Sequence, residues 1–197
     1  APADLRLAGH HFLSSHLYFL SSIFLIHGIY GSPEENWFPW MKEQLTEKGC
    51  DVYVPPFRTR EPKTLLYNWL EEFEAYRKHI AEDSIIIGHS AGVPFVLKIL
   101  ESAPVQSAYL ISGFMTNPIN KFSEVMADFT DRQFDFPAIQ RNCKKFEIIH
   151  SDNDPYVPIE KAEELSKTLE VPITLIKNAG HLNADAGFTE FPLLLEM

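Results

Sequence analysis

The residues best suited to covalent chemistry lie near the middle of the chain, at Gly88–Gly92. This segment reads Gly-His-Ser-Ala-Gly, so that a serine stands between two glycines with the spacing Gly-x-Ser-x-Gly. The β-branched run Ile85–Ile87 precedes it and predicts a short strand buried on both faces. The apolar run Val93–Leu100 follows it and is typical of a helix. Strand, sharp turn and helix are the context in which this pattern forms a nucleophile elbow.

Ser90 is the predicted nucleophile of this turn. We expect the turn to hold its backbone in a strained conformation and to present its hydroxyl at the carboxyl end of a sheet. Any residue larger than Gly88 or Gly92 would collide where strand and helix lie close together. The helix N-terminus adds a partial positive charge and the N–H of Ala91 beside the serine oxygen.

A serine hydroxyl needs a base, and histidine has a pKa close to neutral pH. Among the eight histidines, we predict that His181 is the base. It follows a predicted strand and the turn Asn178–Gly180, which can bring it over the carboxyl edge of the sheet. We interpret His27, His89 and His150 as residues that pack or bond to loops. His79 is interpreted as a solvated residue near the end of a helix.

The base needs a carboxylate that orients its ring and stabilises its charged form. The segment Ser151–Pro158 follows the strand before that of His181, and it contains Asp152 and Asp154. We favour Asp154, because the rigid turn Pro155–Pro158 comes directly after it. Either aspartate could instead only cap this turn. Weaker alternatives are Asp185, Asp128 and Asp131.

Attack on a carbonyl group also needs two hydrogen-bond donors for the oxyanion that forms. We predict the N–H of Ala91 as one donor. The second is expected from the loop that begins at His27, with the N–H of Ile29 favoured over that of Tyr30. Gly28 would let this backbone approach the substrate closely. The alternative is that the loop is a plain strand-to-helix turn.

Strands and helices are predicted to alternate along the chain. Strands are expected at Ile23–Ile26, Asp51–Val54, Ile85–Ile87, Ala108–Ser112, Phe146–His150 and Ile173–Ile176. Helices are expected from Ser32 to near Gly49, at Lys63–Ala81, Val93–Leu100, Ile159–Leu169 and Phe188–Glu196, with short helices between Met115 and Asn142. This alternation predicts an α/β fold, a three-layer α/β/α sandwich around a mainly parallel sheet of about six strands. Residues 23–197 would form a single domain.

Composition restricts the function classes. The chain has 197 residues and a net charge of −10, which argues against nucleic acid as a partner and against stable membrane association. Cys50 and Cys143 have neither metal-ligand nor disulfide spacing, so we expect both to be reduced, in a cytoplasmic protein.

Residues 1–22 are interpreted as a leader or tag-like extension without an assigned function. The apolar stretch Leu17–Ile26 is too short and too interrupted to span a bilayer, and a basic start with a cleavable site is missing. His10, His11 and His16 could act as metal ligands, but we favour a leader and predict no metal site.

From about Ile23 onward, the sequence resembles the small lidless α/β-hydrolases related to retinoblastoma-binding protein 9 and YdeN. The resemblance rests on several motifs together: His27-Gly28 followed by Asn36–Trp40, the elbow Gly88–Gly92, Ser151–Pro158, and Gly180–Asn183 with Gly187-Phe188. It implies a compact α/β-hydrolase fold with Ser90, Asp154 and His181 as a catalytic triad. It also implies hydrolysis of small esters or amides without a cofactor, and association with protein partners. The leader and the basic loop Phe57–Glu61 depart from the family pattern.

No insertion is long enough for a cap domain, so we expect a shallow, open site that takes small acyl substrates. Four aromatic residues near strand ends are predicted to line an apolar acyl pocket: Tyr30, Trp37, Phe114 and Tyr156. Arg58 is a candidate for binding an anionic group of the substrate.

The leading hypothesis is therefore a serine hydrolase that cleaves small carboxylic esters, and also amides, through an acyl-serine intermediate. Thioester cleavage or acyl transfer would use the same residues. A non-enzymatic interaction module is the alternative of a different class, since one fold can carry unrelated functions. A monomer or a small homo-oligomer is expected.

Overall fold

A computed structural model of the protein describes residues 21–59 and 65–197. The predicted leader, apart from its last two residues, and the start of the helix predicted from Lys63 lie outside these ranges. The strands are β1 Ser22–Ile26, β2 Asp51–Tyr53, β3 Ile85–His89, β4 Val105–Ile111, β5 Cys143–Ser151 and β6 Ile173–Ile176. The helices of the described ranges are α1 Phe38–Glu47, α2 Leu65–Arg77, α3 Gly92–Leu100, α4 Ser123–Thr130, α5 Phe136–Asn142, α6 Ile159–Leu169 and α7 Pro192–Glu196, with a short 3-10 helix at Ala184–Ala186.

The six strands form one parallel sheet in the order β2-β1-β3-β4-β5-β6. Strand order along the chain reverses at β1, which lies between β2 and β3. Such a reversal opens a crevice at the carboxyl ends of the strands, where ligands bind in open α/β sheets. The loop after β1 and the Gly88–Gly92 turn after β3 both lie at this point. The predicted parallel sheet is confirmed.

Apolar side chains cover both faces of the sheet, as the predicted three-layer sandwich requires. Phe24 and Ile26 point into one core together with residues of α2 to α6. Ile23 and Leu25 point into the other core, with residues of α1 and α7. The alternation along β1 is the period of two expected for a strand buried on both faces.

Two predicted helices begin later than expected. The first was predicted from Ser32 and begins at Phe38, because Asn36 has a left-handed backbone with φ of 54° and interrupts the helical conformation. The closing helix was predicted from Phe188 and begins at Pro192. The N–H of Phe188 instead donates to the carbonyl of Asn183. The short helices predicted between Met115 and Asn142 are present as α4 and α5.

Candidate active site

Ser90 lies on a sharp turn between β3 and α3. Its backbone is left-handed, with φ of 56°, a conformation that costs energy for a residue with a side chain. A Cβ atom at Gly92 would lie 2.4 Å from the carbonyl oxygen of Ile26, and one at Gly88 would lie 2.9 Å from the carbonyl oxygen of Gly92. Only glycine fits at these two positions, so the strained turn predicted from the sequence is present.

The loop after β1 packs directly against this serine. A Cβ atom at Gly28 would lie 3.0 Å from Cβ of Ser90. The loop closes on itself, because the N–H of Gly31 donates to the Gly28 carbonyl over 3.2 Å. His27 Nδ1 donates to the same carbonyl over 2.8 Å. The backbone that leads into Ile29 is thereby held beside the side chain of Ser90.

His181 and Asp154 form a close pair on the loops after β6 and β5. His181 Nδ1 lies 2.7 Å from Asp154 Oδ2. The other carboxylate oxygen of Asp154 accepts from the N–H groups of Tyr156 and Val157, over 2.9 and 3.0 Å. Burial acts to raise the pKa of Asp154, but the hydrogen bond and charge of His181, with these two N–H groups, lower it overall. Asp154 is therefore a buried, ionised carboxylate directed at one ring nitrogen of His181.

The competing aspartates have other partners or positions. Asp152 Oδ1 accepts from the N–H of Asn178 over 2.7 Å, which braces the loop that carries His181. Asp128 Oδ2 accepts from the N–H of Leu66 at the start of α2, over 2.6 Å. Asp131 is exposed at the end of α4, and Asp185 is exposed on the rim of the cleft described below.

Three other histidines are buried at the carboxyl edge of the sheet, and each bonds to a backbone carbonyl. Besides His27, His89 Nε2 donates to the carbonyl of His181, and His150 Nε2 donates to that of Val157, each over 2.9 Å. Burial lowers the pKa of all three, that of His89 to about 3. They remain neutral near pH 7, and the prediction that they pack or bond to loops is confirmed.

The loop that carries His181 is also held by Trp37. The indole N–H of Trp37 donates to the carbonyl of Leu182 over 3.0 Å, and Leu182 has a left-handed backbone with φ of 49°. Of the eight described non-glycine residues with positive φ, seven lie in loops after the carboxyl ends of strands, the exception being Glu170. Backbone strain is thus concentrated at the edge of the sheet where Ser90 lies.

Ser90 and His181 line one cleft with a volume of about 630 Å³. The cleft lies at the crevice between the β1 and β3 ends. Its other lining residues come from the loops at this edge and from α4: Gly28, Ile29, Tyr30, Gly31, Glu34, Glu35, Asn36, His89, Phe122, Met126, Tyr156, Asn183, Ala184, Asp185 and Thr189.

Aromatic rings form one part of the lining. Tyr30 and Tyr156 line the cleft as predicted, and Phe122 connects them, with ring centroids 5.9 Å from Tyr30 and 5.8 Å from Tyr156. The ring of Tyr156 lies 5.0 Å from that of His181. The sequence reasoning missed Phe122 and Met126, and their place on a long loop and helix after β4 gave no local signal for the site.

Three predictions for substrate contacts are wrong. Trp37 and Phe114 are completely buried in the two cores and do not line the cleft. Phe114 follows β4 and Trp37 directly precedes α1, and both side chains turn inward. The indole of Trp37 supports the loop of His181 instead. Arg58 lies outside the cleft lining and forms ion pairs with Glu72 and, over 3.8 Å, with Glu71.

Carboxylates form the other part of the lining, which the sequence reasoning also missed. Glu34 and Glu35 directly precede Asn36 in the loop before α1, and Asp185 follows Ala184 in the short 3-10 helix. Asn36 Oδ1 accepts from the N–H of Ala184 over 2.9 Å, so the two loops are joined. The only advance signal was the acidic pair Glu34-Glu35 itself.

Comparison with known proteins identifies the family of this site. A family model described as serine hydrolase matches residues 23–197. The chain belongs to this serine hydrolase family. YdeN of Bacillus subtilis (strain 168) is 27% identical over 181 residues, which are 89% of this chain and 93% of YdeN. Serine hydrolase RBBP9 of Rattus norvegicus is 25% identical over 165 residues, 82% of this chain and 84% of its own.

Solved structures agree with this assignment. The crystal structure of YdeN from B. subtilis superposes with a TM-score of 0.80 at 26% identity, covering 89% of this chain and 95% of that chain. Est1E from Butyrivibrio proteoclasticus has a TM-score of 0.63 at 16% identity, covering 90% and 88%, and supports the fold alone. The serine hydrolase therefore has the α/β-hydrolase fold, and the family resemblance drawn from its motifs is confirmed.

Within residues 21–59 and 65–197, no helix has the length and apolar character that crossing a membrane needs. The same residues contain no group of three or more His, Cys, Asp or Glu side chains arranged to hold a metal ion.

Proposed function

We propose that this serine hydrolase cleaves small carboxylic esters through an acyl-serine intermediate. Ser90 would be the nucleophile, His181 the base and Asp154 the carboxylate that orients it. The observation that carries the proposal is the His181–Asp154 contact of 2.7 Å, made by a histidine that lines the same cleft as Ser90. A buried carboxylate on Nδ1 leaves Nε2 of His181 as the atom that exchanges a proton with substrate and serine.

The reaction has two half-reactions with balanced proton transfers. Ser90 Oγ bonds to the ester carbonyl carbon while its proton passes to Nε2 of His181. The leaving alcohol oxygen takes that proton as its bond to carbon breaks, which gives the acyl-serine. Water then attacks the acyl carbon, gives a proton to Nε2, and the acid leaves as Oγ of Ser90 regains the proton.

The oxyanion of each tetrahedral intermediate would be stabilised by the backbone N–H groups of Ile29 and Ala91. Support comes from the packing of Gly28 against Ser90 and from Ala91 standing at the N-terminus of α3. N–H groups at a helix N-terminus lack partners within the helix and interact favourably with negative charge.

Substrate size and cellular setting are further parts of the proposal. A cleft of about 630 Å³ suits small acyl groups, which would contact Tyr30 and Tyr156. Amides are a further substrate class for the same residues. Cys50 and Cys143 are both buried, and burial raises the pKa of both thiols. Their sequence spacing, which fits no disulfide framework, supports the cytoplasm as the proposed setting.

Labelling with a fluorophosphonate tests the proposal directly. The wild type should form one covalent adduct at Ser90 and hydrolyse p-nitrophenyl acetate. Ser90→Ala should lose both, whereas Ser102→Ala, which changes an exposed serine, should retain both. Undiminished labelling or hydrolysis in Ser90→Ala would contradict the assignment.

A further inference from the structure

We propose that the substrate carries a cationic group, such as an ammonium or guanidinium, that is bound by an acidic wall of the catalytic cleft. The acidic wall consists of Glu34, Glu35 and Asp185. This inference rests on the proposed function, because it names the chemical class of the substrate that the same cleft would take.

The acidic wall is a built feature that comes from two separate loops. Glu34 and Glu35 are consecutive residues of the loop between β1 and α1, and Asp185 lies four residues after His181. The N–H of Ala184 donates to Asn36 Oδ1 over 2.9 Å and so connects the two loops. The three carboxylates therefore line the cleft from two loops that are bonded to each other, the segments that carry Ile29 and His181.

These carboxylates have no internal cation to neutralise them. Within the described residues, none of the three takes part in an ion pair or in a side-chain hydrogen bond, and no lysine or arginine lines the cleft. Several carboxylates elsewhere do form ion pairs, for example Glu101 with Lys98 and Glu164 with Lys161. Three negative charges facing one cleft raise the local concentration of cations.

The cleft is a ligand site on grounds that are independent of these charges. Ser90 and His181 are only 6% and 7% exposed and both line it. Neither Ser90 Oγ nor His181 Nε2 has a hydrogen-bond partner in the described part of the chain. These two polar groups face one cavity without a hydrogen-bond partner from the described protein, which indicates that a substrate supplies the missing partners. A cation on that substrate would lie beside the acidic wall.

The rest of the cleft lining also leaves the acidic wall as the place for a cation. On the aromatic side, Lys121 Nζ lies 4.9 Å from the Phe122 ring centroid and 5.8 Å from that of Tyr156, so these two rings already contact a cation of the protein itself. A second cavity of about 810 Å³ shares Glu34 with the cleft, and four carboxylates but one lysine line it: Glu34, Glu43, Glu47, Glu190 and Lys42. Negative charge therefore continues beyond the cleft.

A pair of esters with the same shape and different charge tests the inference. The acetate ester of choline carries a trimethylammonium group, and that of 3,3-dimethylbutanol has a neutral tert-butyl group in its place. We expect the wild type to favour the choline ester in kcat/KM by roughly 10-fold at low ionic strength, a size typical of several exposed charge pairs. The preference should decrease at about 1 M NaCl, because salt screens exposed charges.

Charge variants assign the preference to the acidic wall. In Glu34→Gln/Glu35→Gln/Asp185→Asn, the ratio of the two kcat/KM values should fall to about 1. The control Glu160→Gln/Glu163→Gln/Glu170→Gln removes three exposed carboxylates of α6 and its C-terminus and should keep the wild-type ratio. A preference that survives in the first variant would overturn the inference.

A second ester pair distinguishes the two places a cation could occupy. Ethyl esters of trimethylammonioacetate and of 3,3-dimethylbutanoate carry the variable group on the acyl side. A preference in either pair that decreases in Glu34→Gln/Glu35→Gln/Asp185→Asn supports the inference and tells which side of the scissile bond faces the acidic wall, because the intrinsic reactivity of the esters is the same for both enzymes. Hydrolysis of the neutral esters with no preference in either pair overturns the inference and leaves the proposed function standing. Failure of every ester, with no labelling of Ser90, overturns both.

Discussion

The two halves of the site are fixed in different ways. The nucleophile half, which consists of Gly28, Ser90, Gly92 and the elements around them, is held by direct van der Waals contact between backbone segments. The acid–base half, which consists of Asp154, His181 and their loops, is held by hydrogen bonds over longer distances in the chain. The supporting donors are His89, His150 and Trp37, each bonded to a loop carbonyl.

This difference determines what each half tolerates. Steric contact makes the nucleophile half sensitive to any added atom but largely indifferent to pH. Hydrogen bonding makes the acid–base half sensitive to the loss of single donors and acceptors and to protonation. Substitutions matched for size or for bonding capacity can therefore separate the two.

The largest effect is expected for Asp154→Asn. An amide in this place would favour the wrong tautomer of His181 and remove the charge that stabilises its protonated form, so kcat for an ester should fall by roughly 10⁴-fold. Asp152→Asn is the matched control. It keeps an oxygen for the N–H of Asn178 and should retain nearly all activity. Equal losses in the two variants would show that Asp154 has no special role.

Gly92→Ala should break the nucleophile half. Its Cβ atom would lie 2.4 Å from the Ile26 carbonyl oxygen, and relief of this overlap should lower the free energy of unfolding in urea by roughly 3 kcal/mol. Gly187→Ala is the matched control. The backbone of Gly187 has φ of 91°, but no atom lies within 4 Å of the Cβ that alanine would add. This substitution should cost only about 1 kcal/mol of backbone strain. Similar losses for both would mean that close packing does not fix the elbow.

The contrast also explains which features could be predicted from the sequence. The elbow was predictable because strand, glycines, serine and helix are contiguous, and the parallel sheet followed from regular alternation. The choice of Asp154 over Asp152 depended on a local turn, and the structure pairs Asp154 with His181. Trp37 was misassigned, because sequence alone does not tell whether an aromatic residue between a strand and a helix turns toward the core or the cleft.

Other features depended on contacts between distant segments. Phe122 and Met126 line the cleft from the connection after β4. Their spacing in the sequence does not indicate that they contact this site. The later start of α1 follows from the left-handed backbone of Asn36, whose side chain bonds to Ala184, 148 residues away in the chain. Such long-range pairing cannot be deduced from helix-capping patterns near Ser32.

His150 offers an intermediate effect in the acid–base half. Replacement by phenylalanine keeps a ring but removes the donor to the Val157 carbonyl, next to Asp154. We expect kcat to fall by about 10-fold, as for the loss of one well-placed hydrogen bond. His150→Gln can still donate and should recover much of the rate. If both variants lose the same activity, packing and not hydrogen bonding supports the Asp154 loop.

The smallest effect concerns pH and stability. Unfolded histidine gains a proton near pH 6.5, whereas buried His89 remains neutral down to about pH 3. The unfolded state thus binds more protons between pH 6.5 and 5, and stability falls as pH falls, by up to about 1.4 kcal/mol per pH unit for this group. Urea unfolding of His89→Gln should show a shallower pH dependence than the wild type. An unchanged slope would exclude His89 as its source.

Trp37 gives the molecule an intrinsic optical probe. Its indole stacks on Phe38 with ring centroids 4.3 Å apart and touches the backbone beside His181. Departure of that backbone exposes the indole N–H to solvent and shifts its fluorescence to longer wavelength. In a variant with Trp40 and Trp69 replaced by phenylalanine, which keeps Trp37 as its one tryptophan, opening of the region around His181 can thus be followed by light emission, without an attached dye.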